Sequence, residues 1–472
     1  MNIYFSARST LKSSKVDFFP LPTKPTLGHL MVKVIHSLVL GISFFLLNAV
    51  SAQPPKPFDH ALDQQIEQAR LEINRRFISP QYSILYDYAG RDGNNFLPTP
   101  DECKTNKPNG LAWWSPIENG AFFNGIYLDG LCNRWKISKK EADAREARKV
   151  ADGLIRLATV GSVPGFVSRD VASDGKSHHV AGSDDQTGPW FYGMWRYIKS
   201  GIPDRTEQEK LIKLMETVGN ALEKTNWQLP CDQQGYGYRG NLTDKGCRIS
   251  VRLVFIYRAL YDVTQRKKWM DGYHQRLNEI PEGDSLTRLE LCSQGILYET
   301  ANPEKGNKTE NEFWITGISQ ANLKALVELE QTPGIREKFR QGLNLTAEKA
   351  ALHLLRYKNF DNNHGLSFNE NWRLLDSLWK PQPDIATTLA LALQQGREWS
   401  KLSPARVYED KHMREPLWAC WVVLLSGNKL LIKQHEVVLK NALMHYNWQQ
   451  LYTSRFFVVL PAYYEARLNR LF

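Results

Sequence analysis

The chain has 472 residues, a formal charge of +10, 42% hydrophobic residues and 23% charged ones. Those values exclude a disordered chain, a collagen-like chain and a disulfide miniprotein, and they leave room for one large core or two to three ordinary ones. Fourteen Trp, 19 Tyr and 20 Phe imply either a thick core or a stacking cleft.

Residues 1–52 read as a leader. Residues 37–50 are almost wholly apolar, Lys33 precedes them, and Val50-Ser51-Ala52 offers small residues for a cut after Ala52. That is a secretory signal pattern, too short for a comfortable membrane span. About 30 residues precede it, so Met31 is an alternative start, and an uncleaved anchor is the competing reading. The expected product is residues 53–472, secreted or periplasmic, with no membrane segment after cleavage. The leader holds five basic residues (Arg8, Lys12, Lys15, Lys24, Lys33) and Asp17, which leaves 55 basic and 49 acidic residues, net +6. The charges are mixed rather than blocked, so no nucleic-acid footprint is visible. Oligomeric state is not legible.

Six cysteines remain: Cys103, Cys132, Cys231, Cys247, Cys292 and Cys420. An exported chain permits disulfides, and Cys231 with Cys247, which bracket a Gly-rich loop, is the best pair. None is spaced like a zinc ligand, so no metal or cofactor is expected.

After the leader, helical periodicity dominates. Residues 60–77 form a charged amphipathic helix. Residues 116–136 are apolar on most sides, 140–159 on one stripe, 189–200 all round and 205–226 on one face. Residues 249–264 are apolar and 266–280 polar, and 311–331 with 335–357 repeat the pair. Residues 383–399 and 416–425 are strongly apolar, and 430–446 are amphipathic. Helices buried all round thus alternate with helices buried on one face. An all-α fold with an inner and an outer ring, an (α/α)6 toroid of one domain, predicts that pattern. The absence of a fixed-period repeat weighs against a superhelical array. The links 160–188, 228–248, 358–382 and 400–415 are long and rich in Gly, Asp, Arg and aromatics, and long ordered loops on one rim are where function usually sits.

Three segments could carry chemistry. In Ser115–Cys132, Ser115, Pro116 and Glu118 have the spacing of a capping box, which gives Glu118 a structural role beside a substrate-binding one. Asp129 lies mid-helix among Ile126, Tyr127, Leu128 and Leu131, so it must be paired, with Arg134 or Arg169, or have the raised pKa of a general acid. In Gly182–Trp195, Pro189 is expected in a first helical turn, which starts the helix near Gly188 and leaves Asp184, Asp185 and Gln186 before it. Two adjacent carboxylates followed by Trp190, Tyr192 and Trp195 suggest a sugar subsite; the alternative is that the acids only complement the helix dipole. In the loop before it, Arg169, Asp170, Asp174, His178 and His179 match no standard metal motif and read as substrate contacts, Arg169 being suited to a carboxylate. Tyr236, Tyr238, Arg239 and Asn371-Trp372-Arg373 are further subsite candidates, and residues 408–416 add Glu409, His412, Arg414 and Glu415, whose first-turn acids read more as caps than as catalysts. There is no G-x-S-x-G elbow, P-loop, H-E-x-x-H or Rossmann fingerprint, so esterase, NTPase and dinucleotide chemistry lose support.

Tyr127-Leu-Asp129-Gly-Leu131 and the helix-opening stretch from Gln186 through Trp190 to Tyr192-Gly193 resemble the six-hairpin glycosidase superfamily, looking closest to its unsaturated glucuronyl and rhamnogalacturonyl hydrolases. The chain departs in having Asp184-Asp185 where Arg-Gly commonly precedes that Gln. The resemblance implies an (α/α)6 barrel and a glycoside hydrolase acting on oligosaccharides, uronate-containing ones among them. Asp129 would then take one catalytic role and Asp184 or Asp185 the other, or Asp129 alone would protonate an unsaturated uronide. A polysaccharide lyase using a His or Tyr base, a non-enzymatic glycan-binding protein and, less favoured by export, a sugar epimerase are the competing readings.

Overall fold

A computed structural model describes residues 57–296 and 313–472; the expected leader lies outside the described residues. The helices that position everything else are α1 (Pro57–Glu72), α2 (Pro100–Lys104), α3 (Gly120–Ser138), α4 (Glu141–Leu157), α5 (Asp184–Ile198), α6 (Arg205–Lys224), α7 (Cys247–Thr264) and α8 (Lys267–Asn278). They continue with α9 (Arg288–Ser293), α10 (Phe313–Leu329), α11 (Pro333–Ala351), α12 (Ile385–Leu402), α13 (Pro404–Glu409), α14 (Glu415–Leu425), α15 (Lys429–Met444) and α16 (Val459–Leu468). Strands β1 (Gln228–Pro230) and β2 (Tyr238–Asn241) form one small antiparallel hairpin.

Six helices close a ring. α3 packs on α5, α5 on α7, α7 on α10, α10 on α14, α14 on α16, and α16 returns to α3. Each is buried nearly all round, from Gly120–Asn133 in α3 to all of Glu415–Leu425 in α14. Outside them lie α4, α6, α8, α11 and α15, each buried along one stripe and packed on the inner helices. The sixth outer position belongs to α1, which bonds to both neighbours: Glu67 pairs with Arg134 of α3 and Arg70 with Glu146 of α4, each at 2.8 Å, while Gln65 donates to the Tyr446 carbonyl beyond α15. This is an (α/α)6 toroid. Among the described residues no helix is long and apolar enough to cross a membrane.

Two expectations about the rings change. Residues 383–399 do not supply an inner helix. Their helix, α12, is half exposed, with Leu393 in solvent, and belongs to an extension between α11 and α14. The sixth inner helix is α16, a ten-residue element with Pro461 in its first turn. Its shortness and the preceding 3-10 turn at Ser454–Val458 hide its periodicity. The Cys231–Cys247 pairing is also overturned: all six cysteines are free, and five are buried.

Inner and outer helices alternate along the chain, so turns fall at one rim and long loops at the other. Two residues join α3 to α4 and two join α7 to α8, whereas residues 158–183, 225–246 and 352–414 lead back into α5, α7 and α14. The inner helices therefore all present their N-termini, and the partial positive charge of each, to the long-loop rim.

The tightest crossing is between α3 and α5. A methyl group added at Gly193 would sit 2.6 Å from Gly125 Cα, and one added at Gly125 would sit 2.2 Å from the Pro189 carbonyl oxygen. The backbones touch because neither residue has a side chain. Gly193→Ala should destabilise the fold by about 1–3 kcal/mol, the usual range for overpacking, with urea unfolding as the measure. An unchanged midpoint would mean the helices can separate at no cost.

Candidate functional site

The N-terminal rim gathers the charged residues that the ring cannot bury elsewhere. Asp184 and Asp185 open α5, with Ser183 as its N-cap. The helix therefore starts at Asp184, not near Gly188, and Pro189 lies inside it. The acids are in the first turn, where the helix dipole favours them, but their main partner comes from α7. Arg252 Nη1 donates to Asp184 Oδ2 at 2.8 Å and to Asp185 Oδ1 at 3.4 Å. Its other nitrogens are taken by Ser319 Oγ and the Ile315 carbonyl of α10, at 3.1 and 2.7 Å. Arg248, one turn earlier, lies 3.6 Å from Asp184 and 3.9 Å from Asp185. Burial, and then the like charge of Asp185, push the Asp184 carboxyl above the usual carboxylate range, against the pull of the arginines.

Of these groups Asp184 and Arg248 line an open pocket of about 650 Å³, together with Arg239, Asn241, Lys245 and Glu282 among others. The β hairpin forms one wall. Gly240 has φ +103°, and a Cβ there would come within 3.0 Å of Asp184 Oδ1, so only glycine lets the strand pass so close. Arg239 lines the pocket and Tyr238 is exposed beside it. Arg169 supports the same turn from behind, donating to the Ser183 hydroxyl and the Glu118 carbonyl, both at 3.0 Å.

A second charged group, of which the sequence pointed only to Glu118, lies further round the rim. Glu118 accepts from the Trp114 N–H and from Arg406 Nη2, both at 2.9 Å. Asn119 donates its side-chain amide to both Glu118 and Asp87, at 3.1 and 2.7 Å, and its backbone N–H to Asp87 at 2.8 Å. Arg455 lies 3.3 Å from Asp87 and 3.4 Å from Asp410. Burial, reinforced by the Glu118 charge, raises Asp87 to about 7. Burial would raise Glu118 as well, but Arg406 and Arg455 outweigh it and hold Glu118 at about 2. Gln186 ties this group to α5: its amide donates to Asn119 Oδ1 at 3.1 Å and its carbonyl accepts the Phe122 N–H at 3.0 Å. The Ser115–Glu118 capping box does not form, because α3 begins only at Gly120 and Ser115 Oγ bonds the Ala112 carbonyl.

The remaining candidates sit elsewhere. Asp129 is fully buried and ion-paired with Arg196 at 2.5 Å, not with Arg134 or Arg169. It also accepts from Tyr192 at 3.1 Å and Asn133 at 3.4 Å. Both its catalytic expectation and the stacking role of Tyr192 give way to an internal network. Trp190 is completely buried, its indole bonded to the Leu154 carbonyl at 2.9 Å. Trp372 is also buried, donating to the Phe96 carbonyl at 2.6 Å. Neither can stack on a sugar. His179 bonds the Lys107 carbonyl at 2.7 Å, and burial lowers its pKa to about 4. His178 faces two acceptors, the Lys176 carbonyl at 2.9 Å and Asp232 at 2.8 Å. Both imidazoles act as struts of the loop rather than as rim ligands. Among the described residues no group of three or more His, Cys, Asp and Glu could hold a metal.

No protein family's sequence profile matches the chain, and no curated protein is detectably similar to it. Among solved structures it is similar to a glycoside hydrolase family 76 mannosidase from Bacteroides thetaiotaomicron, with 9% identity, 87% of this chain and 98% of that one covered, and a TM-score of 0.42.

Two outcomes follow from these placements. Asp129→Asn leaves the Arg196 charge buried without its counter-ion and should cost about 3–5 kcal/mol of stability. Thermal unfolding measures this; an unshifted Tm with lost activity would restore a catalytic role to Asp129. His178 is opposed by burial, but Asp232 and the Lys176 carbonyl raise its pKa above the ordinary 6.5. Its contribution is thus full below about 6.5 and is lost as pH rises through the raised folded value. Tm measured from mildly acidic to mildly alkaline pH should fall more steeply for the wild type than for His178→Asn; parallel curves would contradict it.

Proposed function

We propose that this protein is an exported glycoside hydrolase that cleaves oligosaccharides at the Asp184–Asp185 rim pocket. The observation that carries the reading is Asp184 on the wall of an open polar pocket, held towards its protonated form by burial, with Asp185 beside it in the same helical turn. Glycoside hydrolysis needs two carboxyl groups in different protonation states, one to protonate the leaving oxygen and one to attack or to activate water. Asp184 takes the acid role. Asp185, the more exposed of the two, takes the other.

Arg252 sets their spacing. Because both acids reach its single Nη1, their near oxygens lie closer together than the roughly 6.5–9.5 Å that inverting enzymes use to admit a water. Arg239 makes no ion pair among the described residues and lines the pocket, which supports a substrate bearing an acidic group, a uronate among the options. The lyase reading has less support. His178, His179 and Tyr236 are each engaged, Tyr236 with Thr388, and only Tyr238 stands free beside an arginine.

The test is a panel of neutral and acidic oligosaccharides incubated with residues 53–472. It is followed by reducing-end release and by absorbance of unsaturated uronides. New reducing ends without rising absorbance are expected. Asp184→Asn and Asp185→Asn should each lower kcat by about 10²–10⁴-fold, the usual weight of acid–base groups, in protein shown by circular dichroism to be folded at the assay temperature, since Asp184→Asn also lowers Tm by taking the nearest carboxylate from buried Arg252. Rising absorbance would mean elimination, and full activity in both variants would move the chemistry away from this pocket.

A further inference from the structure

We propose that Ser319 is a positioning residue for the Asp184–Asp185 pair, which it holds in place through Arg252. The proposal rests on the hydrolase reading for the reaction that the pair performs; the strut itself rests on hydrogen-bond geometry.

Among the described residues Arg252 alone hydrogen-bonds both acids, and it does so through one nitrogen, Nη1. Its side chain is wholly buried, but an arginine stem is long, and burial alone does not fix where its head lies. A guanidinium is planar, so bonds to its other nitrogens set the plane. Both come from α10. Ser319 Oγ accepts from Nε at 3.1 Å, and the Ile315 carbonyl accepts from Nη2 at 2.7 Å. With those two held, Nη1 is aimed at the acids. Apart from the acids, Ser319 is the only side chain among the described residues that bonds the Arg252 head.

Ser319 can do this because a hydroxyl both donates and accepts. It is completely buried and donates to the Arg248 carbonyl of α7 at 3.1 Å, which leaves a lone pair for Arg252 Nε. The hydroxyl thus ties α10 to α7, and Arg252 ties both to α5. The other charged groups around the pair are Arg248 on α7, Arg239 on the hairpin, Arg169 behind Ser183, and Asp244, Lys245 and Glu282 on the pocket wall. None of them hydrogen-bonds either carboxylate. α10 contributes the neutral Ser319 and the Ile315 carbonyl. The position of the Arg252 head therefore governs how far positive charge offsets burial at Asp184 and Asp185. Without the Ser319 hydroxyl, Nε–H loses its acceptor, the head turns away, and both carboxyls lose part of their counter-charge.

The test is a ¹³C NMR titration of aspartate-labelled protein, with the two signals assigned by their loss in Asp184→Asn and Asp185→Asn. In Ser319→Ala, checked for folding by circular dichroism, both midpoints should rise by about half a unit to one unit, part of the 1–3 units that an adjacent arginine exerts. Ser319→Thr keeps the hydroxyl and should restore the wild-type midpoints. With a cleaved oligosaccharide, kcat of Ser319→Ala should fall about ten- to a hundredfold at little change in KM, as for a misplaced catalytic group. Its pH–rate profile should move up with the midpoints. Midpoints that stay in place in Ser319→Ala, even with a lowered Tm, would overturn the role, and so would a Ser319→Thr protein that shifts as far as Ser319→Ala. The hydrolase reading fails separately. Midpoints that answer to Ser319 in a chain that cleaves no glycan keep the strut and lose the hydrolase, whereas cleavage with unmoved midpoints does the reverse.

Discussion

A helix enclosed by neighbours on every side has no place for a charged side chain except at its ends or against an opposite charge. The inner ring obeys that constraint throughout. Mid-helix, Asp129 is tied to Arg196, and the lower wall adds Lys324 with Glu328 and Glu465. Every other charge on the inner helices is pushed towards a rim. Because the inner helices run in one direction, the rim that receives their N-termini also receives the long loops, and these bring Asp87, Arg169, Arg239 and Arg406 to the same place. The concentration of chemistry at one end of the toroid is thus a product of burial and connectivity together.

Within that rim the arginines set the electrostatics. Desolvation alone would keep every buried carboxyl there protonated. Arg406 and Arg455 reverse this for Glu118 and leave Asp87 on the high side, although the two acids share one asparagine amide. Arg252 and Arg248 act on Asp184 and Asp185 but do not overcome burial at Asp184. At Asp87 and Glu118 two neighbouring acids are thereby driven to different protonation preferences, the condition that acid–base chemistry at neutral pH requires.

The ring architecture was readable because inner and outer helices differ in how many of their faces are apolar, and 116–136 and 205–226 show the two patterns plainly. α12 misled because a run such as Ile385-Ala-Thr-Thr-Leu-Ala-Leu-Ala-Leu is apolar in composition while presenting Leu393 to water. Asp184, Asp185 and Arg239 were legible as polar residues gathered at the start of an apolar helix and in a Gly-rich loop. Asp129 looked solitary because its partner lies 67 residues away on another helix. Asp87 gave no signal at all: its significance comes from Asn119, Arg455 and Glu118, which only the fold assembles. Trp190 and Tyr192 have the composition of a sugar platform, but their helix is walled in on all sides, and composition does not report which way a ring faces.

The sixth hairpin is the one whose two members are not consecutive. α16 lies beside α1, and the two are joined across nearly the whole described chain, with Tyr463 bonded to Asp63 and the Trp448 indole to the Gln65 carbonyl. Five hairpins can form from local contacts as each helix pair becomes available, and such contacts form quickly. The last one is a seam between the two ends of the toroid. During synthesis the first outer helix must wait, its apolar stripe uncovered, until the final inner helix is made. Joining the ends of the toroid and opening the chain at one of the short turns would move that seam without altering the ring, and would show how far the order of synthesis, rather than the final packing, governs how well this protein folds.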